Sequence, residues 1–312
     1  MKNKEKNFVS AVIYVHNAEK RIENFLKTVI EVLESNFENS EIICVNDSSE
    51  DESPALIKKV SQKVSSTSIS IINMSYFHGL ELAMNAGRDM AIGDFVFEFD
   101  NTYLDFEPAL VMKVYYHMQE GYDIVSASVE RRERLSSRLF YKVFDRYSAT
   151  SCKMTTESFR VISRRVINRT SSMNRTIPYR KVIYANCGLK MDVIKYTSVN
   201  NLAVAEDRKE KGFRTKLAVD SLILFTEMGY SFARTMTVLM MLMSVLMTAY
   251  SVIIYVTAHP VAGWTTTILF LSVAFFGLFG ILTIIIKYLQ LLVDLVFRRQ
   301  HYSFESIEKL TR

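Results

Sequence analysis

GDFVFEFDNTYLD, residues 93–105, is the stretch whose reading decides the fold. Gly93-Asp94 makes a small turn, and Phe95, Val96, Phe97, Glu98 and Phe99 follow as a run dominated by aromatic and β-branched side chains. That composition predicts a short strand in the middle of a sheet. The run breaks at Asp100-Asn101-Thr102, three polar residues directly after a buried strand. In open α/β sheets ligands gather outside the carboxyl ends of the strands, so chemistry is expected at this break. A carboxylate placed there can hold a divalent cation against the phosphates of a nucleotide, because such cations take oxygen ligands. Taken alone, Asp100 suits the start of a turn as well.

Working outward, the flanking segments alternate in period. Residues 8–15 (FVSAVIYV) and 41–45 (EIICV) predict strands, and 68–73 a third. Between them, 18–34 predicts a helix with Ile22, Phe25, Leu26, Val29, Val32 and Leu33 at helical spacing. Ser53-Pro54 opens a second helix through residue 64, with proline near the first helical position. Helices are expected over 79–91 and 107–120, the latter ended by Gly121, and a strand over 123–129. Strands alternating with helices imply an α/β fold, a mainly parallel sheet with helices on its faces. Residues 1–130 are therefore expected to form a nucleotide-binding domain.

Bulk composition excludes several classes. A net charge of +5 on 312 residues, with Lys and Arg spread widely, does not indicate a nucleic-acid binder. Cys44, Cys152 and Cys187 are far apart and lack metal-ligand spacing, so they are expected as small buried thiols in a reducing compartment. No Gly-x-Gly-x-x-Gly follows the first strand, which argues against a dinucleotide-dependent dehydrogenase.

The C-terminal half changes character. Residues 131–150 place Arg131, Arg132, Arg134, Arg138, Lys142 and Arg146 against Leu135, Leu139, Phe140, Val143, Phe144 and Tyr147. The apolar positions repeat at three and four, so a helix with a cationic face is expected, of the kind that lies on a lipid surface. Residues 159–166 form another short apolar and basic element, and a second amphipathic helix is expected over 216–234. Residues 131–234 thus form an interface region. From 235 to 286 the chain has no Asp, Glu, Lys or Arg, enough length for two helical crossings of about 20 residues each. The loop at 257–264 lacks Lys and Arg, whereas Arg234, Lys287, Arg298 and Arg299 flank the other side. The positive-inside rule then puts the catalytic domain and both termini in the cytoplasm, with residues 287–312 as a tail on a multi-pass plasma (inner) membrane protein.

These features, in this order, resemble the family 2 glycosyltransferases that charge a polyprenyl or dolichyl phosphate with a sugar, of which dolichyl-phosphate mannose synthase is the familiar type. The resemblance rests on EIICVNDSSEDES, GYDIVSAS, SSRLFYKVFDRYS and SFRVISRRV in family order, followed by the apolar hairpin. It implies a GT-A-like nucleotide-sugar-binding domain, a UDP- or GDP-linked donor, Mg or Mn, a polyprenyl (undecaprenyl) phosphate acceptor, inversion at the anomeric carbon, and hairpins able to pack into homo-oligomers. By position, Val15, Asn17 and Glu19 fall in the opening donor loop, and Asn46 and Asp47 at the donor base. Asn101, Arg131, Arg132 and Arg208 would also line the donor, with Arg131 and Arg132 equally suited to the membrane surface. Asp100, Thr102 and Asp105 would take the metal, and Asp100, Arg160 and Ser158 the catalytic positions. Several of these depart from the family pattern. Tyr14, His16 and Ala18 stand in the opening loop for Pro, Tyr and Glu, and Asn46 and Ser48 alter Asp-Asp-Gly-Ser. Thr102 replaces the second acid of Asp-x-Asp, and Ser158 the acid before Phe-Arg. These departures leave a second expectation open, a homologue that binds a nucleotide or a partner without turnover.

Overall fold

The structure, a computed structural model, describes residues 4–64, 66–130, 157–172, 180–199 and 302–311, together with scattered helical positions between 235 and 292. It divides into two compact units, the first spanning Met1–Asp145, Thr150–Leu217 and Gln300–Arg312, the second Arg146–Ala149 and Ala218–Arg299.

The first unit is built on one sheet. Its strands are β1 (Val9–Val15), β2 (Ser40–Asn46), β3 (Ser68–Met74), β4 (Phe95–Phe99), β5 (Ile124–Val129), β6 (Phe159–Ser163), β7 (Met191–Tyr196) and β8 (Phe304–Lys309), in the order β7-β5-β6-β4-β1-β2-β3-β8. The pairs β1–β2, β1–β4, β2–β3 and β5–β7 are parallel. β6 runs antiparallel to both β4 and β5, and β8 antiparallel to β3. β1 is buried at all seven positions, as its apolar run, interrupted only by Ser10, requires of a central parallel strand covered on both faces.

The helices are α1 (Glu19–Asn36), α2 (Ser53–Ser61), α3 (Leu80–Met90), α4 (Ala109–Gln119), α5 (Arg164–Ser172) and α6 (Arg180–Asn186). On one face, Ile22, Phe25, Leu26, Val29 and Leu33 of α1, with α2 and α4, cover Ala11, Ile13, Phe97 and Phe99. Phe25 meets Phe99 edge-on at 5.3 Å between ring centroids. On the other face, α3, α5 and α6 cover Val12, Ile43, Val45, Val96 and Ile162. Alternation along β4 thus sends Phe97 and Phe99 to the first face and Val96 to the second, and Glu98 follows Val96. At Gly87 of α3 the approach is so close that a Cβ would collide with Val12 Cγ1 and stand 2.6 Å from Val45 Cγ2.

The expected strands and helices of residues 8–129 are all present, with ends shifted by a residue or a few, as helix and strand ends fray. The sheet does not stop at residue 130, because β6, β7 and β8 join it from later in the chain. The element expected over 159–166 is two: β6 ends at Ser163 and α5 starts at Arg164. The segment expected as a tail supplies β8, whose sequence FESIEK carries only a weak alternation because it lies on the sheet edge, largely exposed. It is held by Asn73 Nδ2 to Ser306 Oγ (2.9 Å) and Glu308 Oε1 (3.1 Å), and by Lys58 to Glu308 at 2.7 Å.

In the second unit the described positions are helical, and Gly277 packs directly on Met240. Leu239, Leu242 and Leu246, and separately Leu278, Leu282, Ile285, Leu289 and Leu292, are exposed at spacings of three and four, one apolar stripe per stretch. Among the described residues no helix is long and apolar enough to cross a membrane. Most of 235–286, and the amphipathic helices expected over 131–150 and 216–234, lie outside the described residues.

Candidate active site

The carboxyl ends of β1, β2 and β4 lie side by side, and their loops are tied together. Asn17 and Ser48 sit in the left-handed backbone region (φ 45° and 52°), which Asn tolerates better than most residues. Asn17 N–H donates to Ser49 Oγ (3.1 Å), and Glu50 N–H to Asn17 Oδ1 (2.9 Å). Glu19 is exposed in the first turn of α1, and its N–H donates to Asp51 Oδ2 at 2.9 Å. Val15 is buried, and its carbonyl accepts from Asp47 N–H at 2.9 Å. Asn46, also buried, donates from Nδ2 to Asn73 Oδ1 at 2.9 Å.

Asp47 has no exposed surface. Its carboxylate accepts from Tyr14 Oη–H (3.1 Å) and from the N–H groups of His78 (2.8 Å) and Gly79 (2.8 Å). Burial pushes its carboxyl above the ordinary range, with these three hydrogen bonds opposing the shift. As folded, Asp47 ties the β3–α3 loop to the end of β2.

The break after β4 leads into a buried ionic network on the α3/α6 side of the sheet. Asp100 Oδ2 accepts from Arg160 Nη2 at 2.7 Å, and Asp100 Oδ1 from Arg180 Nη2 at 2.6 Å. Arg180, wholly buried, places one guanidinium nitrogen on each of three carboxylates: Nη2 on Asp100, Nη1 on Glu98 (3.0 Å) and Nε on Glu81 (2.9 Å). Arg160 stands cross-strand from Glu98, with Nη1 at 3.5 Å from Glu98 Oε2 and Nε at 3.1 Å from Glu157 Oε2. Tyr184 Oη–H donates to Glu98 Oε1 at 2.7 Å, and Arg88 donates to Tyr184 Oη at 3.3 Å. Burial opposes the charge on Asp100, but the guanidiniums of Arg160 and Arg180 outweigh it and hold the carboxyl well below the usual range. Both arginines are buried, which opposes their charge, yet Asp100 and the glutamates raise them above their ordinary value.

Beyond Asp100, Asn101 Oδ1 accepts from Tyr103 N–H at 2.9 Å, closing a local turn, and the Arg21 guanidinium covers the Tyr103 ring at 4.1 Å. Thr102 is buried. Asp105 Oδ1 accepts from Tyr196 Oη–H at 2.9 Å, and Tyr196 Oη lies 2.6 Å from Ser158 Oγ. A phenol has one proton, so the Ser158 hydroxyl donates to Tyr196 while Tyr196 donates to Asp105.

The fold therefore unites Asp100 with Arg160, and Asp105 with Ser158 through Tyr196. Arg131, Arg132 and Arg208 lie outside the described residues. Sequence reasoning missed Glu81, Glu98, Glu157, Arg180 and Tyr184. Glu98 carried a readable signal, an acid within an apolar strand that must point into a buried face. Arg180, twenty residues beyond Arg160, carried none. The Mg or Mn seat expected at Asp100, Thr102 and Asp105 does not fit the donor set as folded. Both Asp100 oxygens serve guanidiniums, Thr102 brings no carboxylate, and Asp105 serves a phenol. Among the described residues no group of three or more His, Cys, Asp or Glu is placed to hold a metal ion.

Residues 10–172, more than half of the chain, match the family described as Glycosyl transferase family 2. The chain belongs to that family. It is 30% identical over 194 residues to an uncharacterized glycosyltransferase of Synechocystis sp., covering 60% of each chain. It is 28% identical over 228 residues to a prophage bactoprenol glucosyl transferase homolog of Escherichia coli, covering 70% of this chain and 72% of that one. A third relative, 29% identical over 150 residues (46% of this chain, 45% of the other), is the undecaprenyl-phosphate 4-deoxy-4-formamido-L-arabinose transferase of Edwardsiella ictaluri. Two solved structures share the α/β fold at a TM-score of 0.50. One is the mannosyl-3-phosphoglycerate synthase of Rubrobacter xylanophilus (17% identity; 69% of this chain, 74% of that one). The other is a mannosyltransferase of Pyrobaculum calidifontis in complex with GDP-Man and Mn2+ (13% identity; 70% and 63%).

Proposed function

We propose that the chain transfers a sugar from a UDP- or GDP-linked donor to a polyprenyl phosphate at the cytoplasmic face of the plasma membrane, with inversion. The observation that carries the reading is a family 2 domain whose carboxyl-end site centres on a guanidinium-paired Asp100 and is followed by a long stretch without charged side chains. The names of the Escherichia coli and Edwardsiella relatives support a lipid phosphate as acceptor. An acceptor phosphate oxygen attacks the anomeric carbon from the face opposite the nucleotide, and the bond to the diphosphate oxygen breaks. A phosphate monoester is largely ionised at pH 7, so the attack needs no strong base. In this account Asp100 orients Arg160, whose charge favours the diphosphate as negative charge builds on it. Asp105, Tyr196 and Ser158 fix the edge of the site between the β4 loop and β7.

Membrane anchoring draws on two observations. Exposed leucine stripes in the second unit suit lipid rather than water. β7 and β8 precede and follow the charge-free stretch and are strands of one sheet, so both ends of that stretch return to the same side of any membrane and the crossings are even in number. A second reading, a homologue that binds nucleotide without turnover, is favoured by Thr102 and Ser158, where carboxylates are absent.

The test is a transfer assay on detergent-purified protein with undecaprenyl phosphate and a panel of radiolabelled nucleotide sugars, run with and without Mg or Mn. Label is expected in the organic phase with one donor, and Asp100→Ala should abolish it. Absence of lipid-linked product from every donor, while a relative makes it in parallel, refutes the transferase reading.

A further inference from the structure

We propose that Asp100 is a guanidinium anchor in this chain and not a metal ligand, so that nucleotide diphosphate binds without a divalent cation held there. The inference rests on the donor reading above and specifies its cofactor requirement.

Three features carry it. First, the carboxylate is committed on both oxygens, to Arg160 Nη2 at 2.7 Å and Arg180 Nη2 at 2.6 Å. A Mg or Mn ion ligates carboxylate oxygen at about 2.1 Å, which would bring two positive charges within roughly 5 Å of two guanidiniums. At that range, in a buried setting, the repulsion is strong and little screened. Second, the arginines cannot easily withdraw. Arg180 has a carboxylate on each nitrogen and no exposed surface, and Arg160 is anchored between Glu157, Glu98 and Asp100. Each of the four carboxylates around this pair (Glu81, Glu98, Asp100, Glu157) already has a guanidinium nitrogen within 3.1 Å, so a divalent ion would have to displace an arginine to gain any of them. Third, Arg160 Nε and Nη1 are buried and have no hydrogen-bond acceptor of good geometry among the described residues. A phosphate oxygen is the natural acceptor for such donors. Asp100 and Glu157 are the most accessible of the acids that Arg180 and Arg160 contact, their side chains 10% and 9% exposed, which puts the arginine pair just behind the surface a donor would meet.

The experiment is calorimetric titration of the full-length protein in detergent with UDP and with GDP, in EDTA and again in Mn. One of the two nucleotides is expected to bind with a Kd that changes by less than about twofold between conditions. Tightening of about tenfold or more by Mn overturns the inference while leaving the transferase reading intact. No binding of either nucleotide under both conditions overturns both. Arg180→Gln, used once thermal unfolding shows it folded, supplies a second arm: with one guanidinium gone, Asp100 Oδ1 is free to ligate, so nucleotide affinity should fall in EDTA and recover in Mn. Arg180→Lys, which keeps the charge, should stay insensitive to Mn. A wild-type protein that already responds to Mn as Arg180→Gln is expected to do would refute the proposal.

Discussion

Replacing Arg180 by methionine should be among the most destabilising single changes in this protein. The side chain is wholly buried, and its three nitrogens stand 2.6 to 3.0 Å from Asp100, Glu98 and Glu81. Methionine fills much of the volume, so the change is chiefly electrostatic. Removing one partner of a buried ion pair costs about 3–5 kcal/mol, because the remaining charge is left uncompensated. Three carboxylates lose a partner here, although Arg160 still reaches Asp100 and Glu98, so the loss should lie at the upper end of that range. For a unit of this size each kcal/mol moves Tm by roughly 2–4 °C, which predicts a drop on the order of 10 °C at pH 7. The pH dependence gives an independent check. Asp100 has a folded-state pKa below its unfolded value, so its contribution is full above that unfolded value and is lost as pH falls through the folded one. The gap between wild type and Arg180→Met should therefore hold from pH 7 down to about 4 and narrow as pH falls further below the unfolded carboxylate value. Thermal unfolding followed by circular dichroism at several pH values measures both quantities. A variant within about 2 °C of wild type at pH 7, with a gap independent of pH, would show that the network contributes little and refute the reasoning.

Two further outcomes follow from packing and titration. Gly87→Ala places a methyl group against Val12 and Val45 across the α3–sheet contact and should destabilise by about 1–3 kcal/mol, read as a lower urea midpoint at unchanged slope. His117 lies between Asp192 (2.7 Å) and Glu120 (2.8 Å), and its hydrogen bond to Asp192 raises its pKa. Its contribution is thus full below the unfolded value near 6.5 and fades as pH rises through the higher folded value. His117→Gln should remove that part of the Tm change between about pH 6 and 8, and an unaltered profile would refute the pairing.

Much of the fold was legible because its signals are local. The strand at 95–99, the nearly continuous apolar run of β1 and the helical spacing of α1 are each set by burial on a sheet or helix face, which periodicity reports directly. Asp100 was legible as a site residue because an acid follows a central strand, and Arg160 through the family resemblance of its Phe-Arg segment, but their pairing was not. β8 was not legible: an edge strand with most of its side chains in water needs no apolar alternation, and its pairing with β3 joins residues more than 200 positions apart. Nor was the allegiance of Asp100. The sequence shows an acid with the composition of a metal ligand; only the packing of α6 against α3 and β4 puts Arg180 on both Asp100 and Glu98. Residue type sets what a carboxylate can bind, but its partner is set by whichever charge the tertiary structure brings within about 3 Å, where Coulomb attraction in a buried site exceeds any local preference.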